Sequence, residues 1–223
     1  MDLGLAFTFV FRDENWLQKV LINGLIGLIP VVGQLYLLGW ALEVARQVAL
    51  DQYTVLPDVD FNTYLRRGFH AFVVGLVYSL PLWVLALPMV LLPMMGTALK
   101  LNEDALAAIT MISSICCGGL ILLYSLFMGL LLQTAYAHIA VKDTLNAGFE
   151  LAEVFRLFKV AIGAWLLAFV GAFIAGLAAS LIGSIACGIG IIFTMAIYFP
   201  VMGHLYGQAY RQAQMAPALN ASA

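Results

Sequence analysis

The sequence predicts an all-α fold, a polytopic bundle of transmembrane helices, and its composition and charge distribution support this prediction. Of the 223 residues, 64% are hydrophobic and 10% are charged, whereas a soluble domain carries about 25% charged residues. Mean hydropathy is +1.01. The composition excludes a soluble globular protein, and the net charge of −2 gives no basic surface for nucleic acid.

Long stretches without Asp, Glu, Lys or Arg mark the membrane segments. They have 23, 32, 37 and 51 residues and begin after Lys19, Arg67, Asp104 and Lys159. A helix needs about 20 apolar residues to cross the hydrocarbon, so the last stretch holds two helices, separated near 183–190. The predicted spans are 69–96, 105–141, 160–181 and 189–210, and three prolines are expected to kink the first of them: Pro81, Pro88 and Pro93.

The first charge-free stretch, around Pro30 and Gly33, allows two interpretations. One is a single kinked span. The other is a hairpin of two short helices, 13–29 and 33–49, which either crosses the membrane or is re-entrant. Cations favour the cytoplasmic side, and the hairpin places nine of the ten Lys and Arg residues on one side, against seven in the single span. The hairpin is therefore preferred, and it places both termini in the cytoplasm.

An internal pattern predicts three helical hairpins. An amphipathic segment with aromatic and basic residues precedes each hairpin, at 9–19, 61–69 and 151–159, and such residues anchor helices at the lipid headgroups. An offset of 92 residues also relates three pairs of side chains: Arg46 with His138, Asp51 with Asp143, and Asp58 with Glu150. Membrane folds are often built from such repeats.

A row of small residues predicts a helix-packing face, because residues four apart share one side of a helix. The row is Ala164, Ala168, Ala172, Gly176, Ser180 and Ser184. Small residues allow helices to approach closely in lipid, and Gly203 and Gly207 form a GxxxG motif that we expect to pack against this row. Packing within the chain is the expected role, with contact to a partner subunit as the alternative.

The sequence contains little that points to catalysis. No predicted span has an ionisable carboxylate, lysine or arginine at its centre, which argues against a proton relay or a charge-coupled pump. Phosphate-loop, hydrolase and zinc-protease motifs are absent from the sequence. We therefore expect no catalytic residue, cofactor or metal site, and expect Cys116, Cys117 and Cys187 to serve packing.

Polar side chains in the predicted helices are candidates for a solute path. The possible polar cavity comprises Asn23, Gln34, Gln133, His138 and His204. In lipid such groups usually bond to neighbouring helices. The chain is expected to form a single transmembrane domain over residues 1–211, followed by a disordered tail over 212–223.

Several motifs together resemble a known family. They are Asp13-x-x-Trp16-x-x-Lys19, Ile29-Pro30-x-x-Gly33, Leu56-Pro57-Asp58, Arg67-Gly68 and Gly203-His204-x-Tyr206-Gly207-Gln208-Ala209-Tyr210-Arg211. This pattern resembles an uncharacterised family of prokaryotic multi-pass membrane proteins, a domain of unknown function. Its layout is similar to the membrane domain of some glycerophosphodiester phosphodiesterases. The resemblance implies a repeated-hairpin bundle in the prokaryotic cytoplasmic (inner) membrane, and it implies no activity, substrate or catalytic residue.

Two functions are compatible with these features. The first is a non-catalytic integral membrane scaffold or accessory subunit, with the lipid bilayer and other membrane subunits or further copies of the chain as its partners. The alternative is a transporter or channel for a small neutral or lipid-like solute, because broken helices at repeat interfaces often mark binding sites.

Overall fold

The structure, a computed structural model, describes residues 1–52, 55–185 and 189–221. These residues form eight α-helices and two short 3-10 segments, Phe9–Arg12 and Leu145–Phe149, and no strand occurs among them. The all-α prediction is confirmed. The helices are α1 Leu3–Thr8, α2 Trp16–Gly27, α3 Val32–Ala49, α4 Phe61–Ala98, α5 Glu103–Lys142, α6 Leu151–Val160, α7 Ile162–Ile185 and α8 Ile189–Ala221.

Four helices are long and apolar enough to cross a membrane: α4, α5, α7 and the Gly190–Ala216 part of α8. The chain is thus a multi-pass membrane protein, as predicted. Helix α4 continues through all three of its prolines. Residues 61–69 are the first turns of α4 and not a separate interfacial segment, whereas α6 is separate and buries Val154, Leu157 and Phe158 on one face.

The first charge-free stretch folds as the predicted hairpin. Helices α2 and α3 are separate, and residues 28–31 connect them. Lys19, at the start of α2, lies 2.9 Å from Asp58, in the loop after α3, so the open ends of the hairpin lie together. Twelve residues make α2 about 18 Å long, which is shorter than the hydrocarbon core of a bilayer.

The turn between α2 and α3 is strained. Val31 has φ 65° and ψ −60°, and the amide of Val32 donates to the carbonyl of Pro30 at 2.7 Å, which closes a three-residue turn. A β-branched residue rarely adopts positive φ, because its side chain crowds the following carbonyl. Gly33 follows, and a Cβ there would meet the backbone of Ile26.

Replacement of Val31 by glycine is expected to stabilise the protein by about 1 kcal/mol, because the relief of backbone strain exceeds the entropy that glycine adds to the unfolded chain. Val31 is largely exposed, so little packing is lost. Thermal unfolding in a mild detergent measures the effect. The matched control is Val32→Gly at the first residue of α3, where the backbone is helical and holds no such strain, so this variant should not be stabilised. Equal losses in both variants would contradict the assignment of strain to Val31.

The residue contacts divide the chain into two compact units. Unit 1 comprises Met1–Val74 and Leu130–Ala223, and unit 2 comprises Gly75–Gly129. The boundaries fall within α4 and α5. At the other end of the chain, α8 continues to Ala221, where the sequence predicted a disordered tail from Gln212. Ala213 is fully buried, so the first turn of that segment packs within unit 1.

Glycines set the closest helix contacts of unit 1. A Cβ at Gly39 of α3 would overlap the carbonyl oxygen of Tyr64 in α4, and one at Gly68 would overlap the backbone of α3. Gly203 and Gly207 of α8 lie against the carbonyl oxygens of Ala41 and Ala45 in α3. The prediction that this GxxxG motif packs on the small-residue row of α7 is therefore wrong, since α3 occupies its glycine face.

The small-residue row of α7 packs along most of its length, and at its fourth member, Gly176, a Cβ would lie 3.4 Å from Tyr198 of α8. Its first three members, Ala164, Ala168 and Ala172, are buried, whereas Ser180 and Ser184 are exposed. Four residues turn an α-helix by more than one full turn, so a row of such steps drifts around the helix. The contact with α8 therefore passes to the neighbouring row, Gly171, Ala175, Ala179 and Gly183, as Gly171 meets Leu205 and Gly183 meets Thr194.

Unit 2 consists of the facing arms of α4 and α5. A Cβ at Gly96 would touch Leu106 at 3.0 Å, and the hydroxyl of Tyr124 donates to the carbonyl of Tyr78 at 3.0 Å. Lys100, with φ 50°, lies in the turn between the arms. In the most apolar parts of α4 and α5, only 11% and 6% of the residues are buried within the protein. These helices therefore present apolar side chains outward.

Candidate functional site at the polar end

Charged side chains from several elements meet at one end of unit 1, which we call the polar end. Antiparallel hairpins bring the starts of α2 and α4 to the same end as the final turns of α3, α5 and α8. The polar end comprises Asp13, Lys19, Glu43, Arg46, Asp51, Asp58, Arg66, Arg67, Asp143, Glu150 and Arg211. Most of these residues are joined in ion pairs that cross between helices.

Arg67 is the centre of the largest network. Its side chain is 4% exposed, its Nε donates to Asp143 Oδ1 at 2.7 Å, and its Nη1 binds Glu43. Arg66 binds the other oxygen of Asp143 at 2.8 Å. Burial opposes ionisation of Asp143, but the hydrogen bond from Arg67 and the surrounding arginine charges outweigh it and lower the pKa of this carboxyl. The network therefore fastens α3, α4 and the end of α5 together.

Lys19 forms a second cluster. Its Nζ lies 2.9 Å from both Asp13 and Asp58 and donates to the carbonyl of Leu56 at 2.6 Å. Burial opposes ionisation of Asp13, yet its hydrogen bonds to Lys19 and to the amide of Asn15 hold its pKa below the usual value. One ammonium thus joins the start of α2 to the loop that follows α3.

His138 lies between two side-chain oxygen atoms, and each of its ring nitrogens is within hydrogen-bond distance of one of them. Its Nδ1 is 2.9 Å from the hydroxyl of Tyr210, and its Nε2 is 3.0 Å from Glu150 Oε2. The hydrogen bond from His138 is the main cause that lowers the pKa of Glu150. A Tyr–His–Glu chain has the order of a proton relay, but His138 and Tyr210 are only 1% and 2% exposed. In this conformation no solute reaches them, so they link α5 to α8.

One of the predicted repeat pairs shows matching geometry. Asp51 follows α3 with φ 56°, and Asp143 follows α5 with φ 54°. Each accepts hydrogen bonds from arginine, Asp51 from Arg211 and Asp143 from Arg67. The pair related by 92 residues therefore ends two return helices in the same way. The pair Asp58 and Glu150 has unlike partners.

The five side chains of the predicted polar cavity are not joined in one cluster. Asn23 accepts from the hydroxyl of Tyr36 and donates to the carbonyl of Lys19 at 2.7 Å, so it links α2 to α3. Gln34 is exposed, and its amide lies 3.4 Å from the carbonyl of Gly27. These two residues share no partner.

The other members of that set also have separate partners. Gln133 is buried and donates to the carbonyl of Trp165 at 2.8 Å, which joins α5 to α7. His204 stacks 4.6 Å from Phe9 and lies 2.9 Å from the amide of Gln208. Gln133 thus bonds to a neighbouring helix, the ordinary role of a polar group between membrane helices, whereas His204 contacts the Phe9 segment through its ring.

The polar end contains a pocket between α3, the loop that follows it and α4. This α3–α4 pocket has a volume of about 370 Å³ and is lined by Glu43, Arg46, Gln47, Pro57, Asp58, Asp60, Thr63, Tyr64 and Arg67. The sequence predicts helix capping as the role of Asp58 and Asp60, with binding of a cation or a partner as the alternative, and it does not connect them with the arginines. The available signal was the concentration of both charge signs at the ends of apolar helices.

The described residues offer few candidates for a metal site or a reactive thiol. Within the residues that the structure describes, no group of three His, Cys, Asp or Glu side chains is arranged to hold a metal ion. Cys116 is exposed and Cys117 is partly exposed, both as free thiols. Cys187 lies outside the described residues.

Fold and site together define a multi-pass helical membrane protein with one ion-paired polar end. Residues 22–188 match a family described as a protein of unknown function, DUF4013, and this match covers 167 of the 223 residues. The chain belongs to that family. The matched range includes the α3–α4 pocket and excludes Lys19 and the closing 203–211 motif. No curated protein and no solved structure matches the chain.

Proposed function

We propose that this protein is a non-catalytic scaffold or accessory subunit of a membrane complex, in the prokaryotic cytoplasmic membrane, with its polar end and both termini in the cytoplasm. The hairpin of α2 and α3 supports this orientation, because nine of ten cations then lie on one side. The comparisons do not show the expected similarity to a phosphodiesterase membrane domain, and no phosphodiesterase role is proposed. The function rests on one feature of unit 2.

That feature is a pair of adjacent glycines that no neighbouring helix among the described residues approaches. A Cβ at Gly118 or Gly119 of α5 would meet no atom within 4 Å, whereas one at Gly39, Gly68 or Gly203 would overlap the backbone of a neighbouring helix. Glycine inside a helix costs about 1 kcal/mol relative to alanine. Where no contact within the described chain requires it, a close approach by another membrane helix is the natural reason for its presence.

The test is a double variant, Gly118→Leu with Gly119→Leu. It is expected to abolish co-purification of the partner from native membranes and to leave the thermal stability of the isolated protein unchanged or higher, because leucine forms helices better than glycine. Gly163→Leu is the matched control, since Gly163 also has open space around it but lies in the first turn of α7, where glycine does not carry the cost of a helix interior. Retention of every partner by the double variant would contradict the proposal.

Oxidative cross-linking identifies the kind of partner. Cys116 is exposed two residues before the glycine pair. A cross-linked product at twice 24.2 kDa indicates a second copy of the chain, and a product of another mass indicates a different subunit. A protein that remains monomeric and solitary in mild detergent and in membranes counts against both forms of the proposal.

A transporter of a lipid-like solute is the second candidate, and one observation favours it. A pocket of about 440 Å³ lies between the arms of unit 2 and is lined almost wholly by apolar atoms. Met95, Leu101 and Ile112 are among its walls. Flux of a labelled lipid in reconstituted vesicles, blocked by Ile112→Trp, would favour this alternative over the subunit role.

A further inference from the structure

The charges around the α3–α4 pocket do not cancel locally. Three arginines, Arg46, Arg66 and Arg67, surround two carboxylates, Glu43 and Asp143. Arg66 and Arg67 bind the carboxylates directly. Arg46 acts on Asp143 only by its charge, because it makes no ion pair or hydrogen bond within the described residues. This side of the pocket therefore carries one positive charge in excess.

A second wall of the pocket, formed by Asp58 and Asp60, has the opposite sign. Asp58 shares Lys19 with Asp13, so these three groups carry one negative charge in excess. Asp60 adds another, and its Oδ1 accepts from the amide of Thr63 at 3.1 Å to cap α4. The side chain of Asp58 is 94% exposed, so a ligand in the pocket has free access to its carboxylate.

From this arrangement we propose that the α3–α4 pocket binds a zwitterionic phosphate–ammonium group, with the phosphate on Arg46 and the ammonium on Asp58 and Asp60. A guanidinium offers five donors in a planar fork that matches phosphate oxygens. A volume of about 370 Å³ accommodates a headgroup of the size of phosphoethanolamine.

The acidic wall of the pocket determines whether an anionic or a zwitterionic headgroup binds better. A purely anionic headgroup can form an ion pair with Arg46. It also places uncompensated negative charge near Glu43, Asp58 and Asp60, all of which line the pocket. A zwitterion neutralises the excess charge beside Arg46 and one of the two excess charges of the acidic wall at once. Its source is either a phospholipid at the membrane surface or a free phosphoethanolamine, since the recognised chemistry is the same.

The experiment measures thermal stabilisation of the full-length protein in a non-ionic, phosphate-free detergent. Three probes are titrated: short-chain phosphatidylethanolamine, short-chain phosphatidylglycerol and free phosphoethanolamine. Phosphatidylethanolamine is expected to stabilise the wild type at lower concentrations than phosphatidylglycerol does. If free phosphoethanolamine binds as well as phosphatidylethanolamine, the ligand is the soluble compound. If phosphatidylethanolamine stabilises the protein and free phosphoethanolamine does not, the ligand is the phospholipid. Stabilisation by none of the probes, or stronger binding of phosphatidylglycerol, overturns the proposal.

Three variants locate the site. Arg46→Gln is expected to weaken binding of the zwitterion by about tenfold or more, because it removes charge-assisted hydrogen bonds. Arg66→Gln is the matched control, since Arg66 belongs to the same network but does not line the pocket. Asp60→Asn keeps a helix-capping oxygen and removes the charge, so it should narrow the preference for phosphatidylethanolamine over phosphatidylglycerol.

Folding of each variant is checked by circular dichroism and size-exclusion chromatography. If Arg46→Gln does not fold, Arg46→Lys supplies the comparison: it retains the charge without the planar fork and should bind several-fold more weakly than the wild type. Wild-type affinity in the folded Arg46 variant, or an equal loss in Arg66→Gln, overturns the assignment to this pocket.

Discussion

Replacement of Gly39 by alanine is expected to destabilise the protein by about 3 kcal/mol or more and to lower its yield of folded material in membranes. The added Cβ would overlap the carbonyl oxygen of Tyr64 in α4. That oxygen belongs to backbone, so no side-chain rotation relieves the overlap, and overpacking of a rigid contact costs at least as much as core overpacking. Helices α3 and α4 must then separate along their contact.

The same substitution elsewhere gives the control. Gly118→Ala adds an identical methyl group to a helix where nothing lies within 4 Å, so it is expected to raise stability slightly. Unfolding by heat or by titration with dodecyl sulfate, in one detergent for both variants, measures the difference. Similar stability of Gly39→Ala and the wild type would show that α3 and α4 do not make this contact.

The first hairpin shows what the sequence can predict. Pro30 and Gly33 break the helix locally, and the positions of the cations select the hairpin over a single span. Both signals are local or depend on a simple count along the chain. The structure confirms the result, since Lys19 and Asp58 meet where the two arms end.

The sequence alone could not predict which residues lie opposite each other at the close contacts between helices. Spacing shows that Gly203 and Gly207 share a face, but only the arrangement of the helices decides that Ala41 lies opposite. Similarly, Arg67 and Asp143 are 76 residues apart, and no local pattern links them. Pairing of this kind depends on which ends of the hairpins the fold brings together, so the polar end could be anticipated as a charged surface but not as a network.

Replacement of Arg67 by leucine is expected to be the most damaging change at the polar end. Arg67 is almost fully buried between Glu43 and Asp143, and removing it leaves Glu43 without its cation and Asp143 with only the exposed Arg66. Loss of one partner from a buried ion pair costs about 3–5 kcal/mol. Arg67→Lys should fall between the leucine variant and the wild type, because a compact ammonium does not bridge both carboxylates as a guanidinium does.

The dependence on pH distinguishes this electrostatic effect from lost packing. The pKa of Asp143 lies below its ordinary value of 3.8 in the folded protein, so the stability it contributes is complete above that value and is lost as the pH falls through the lower, folded pKa. The difference in unfolding free energy between the wild type and Arg67→Leu should therefore be largest at neutral pH and shrink below about pH 4. Arg66→Leu, at a side chain that is 55% exposed, should cost less than about 1 kcal/mol. A difference between wild type and Arg67→Leu that stays constant down to pH 3 would assign the loss to packing instead.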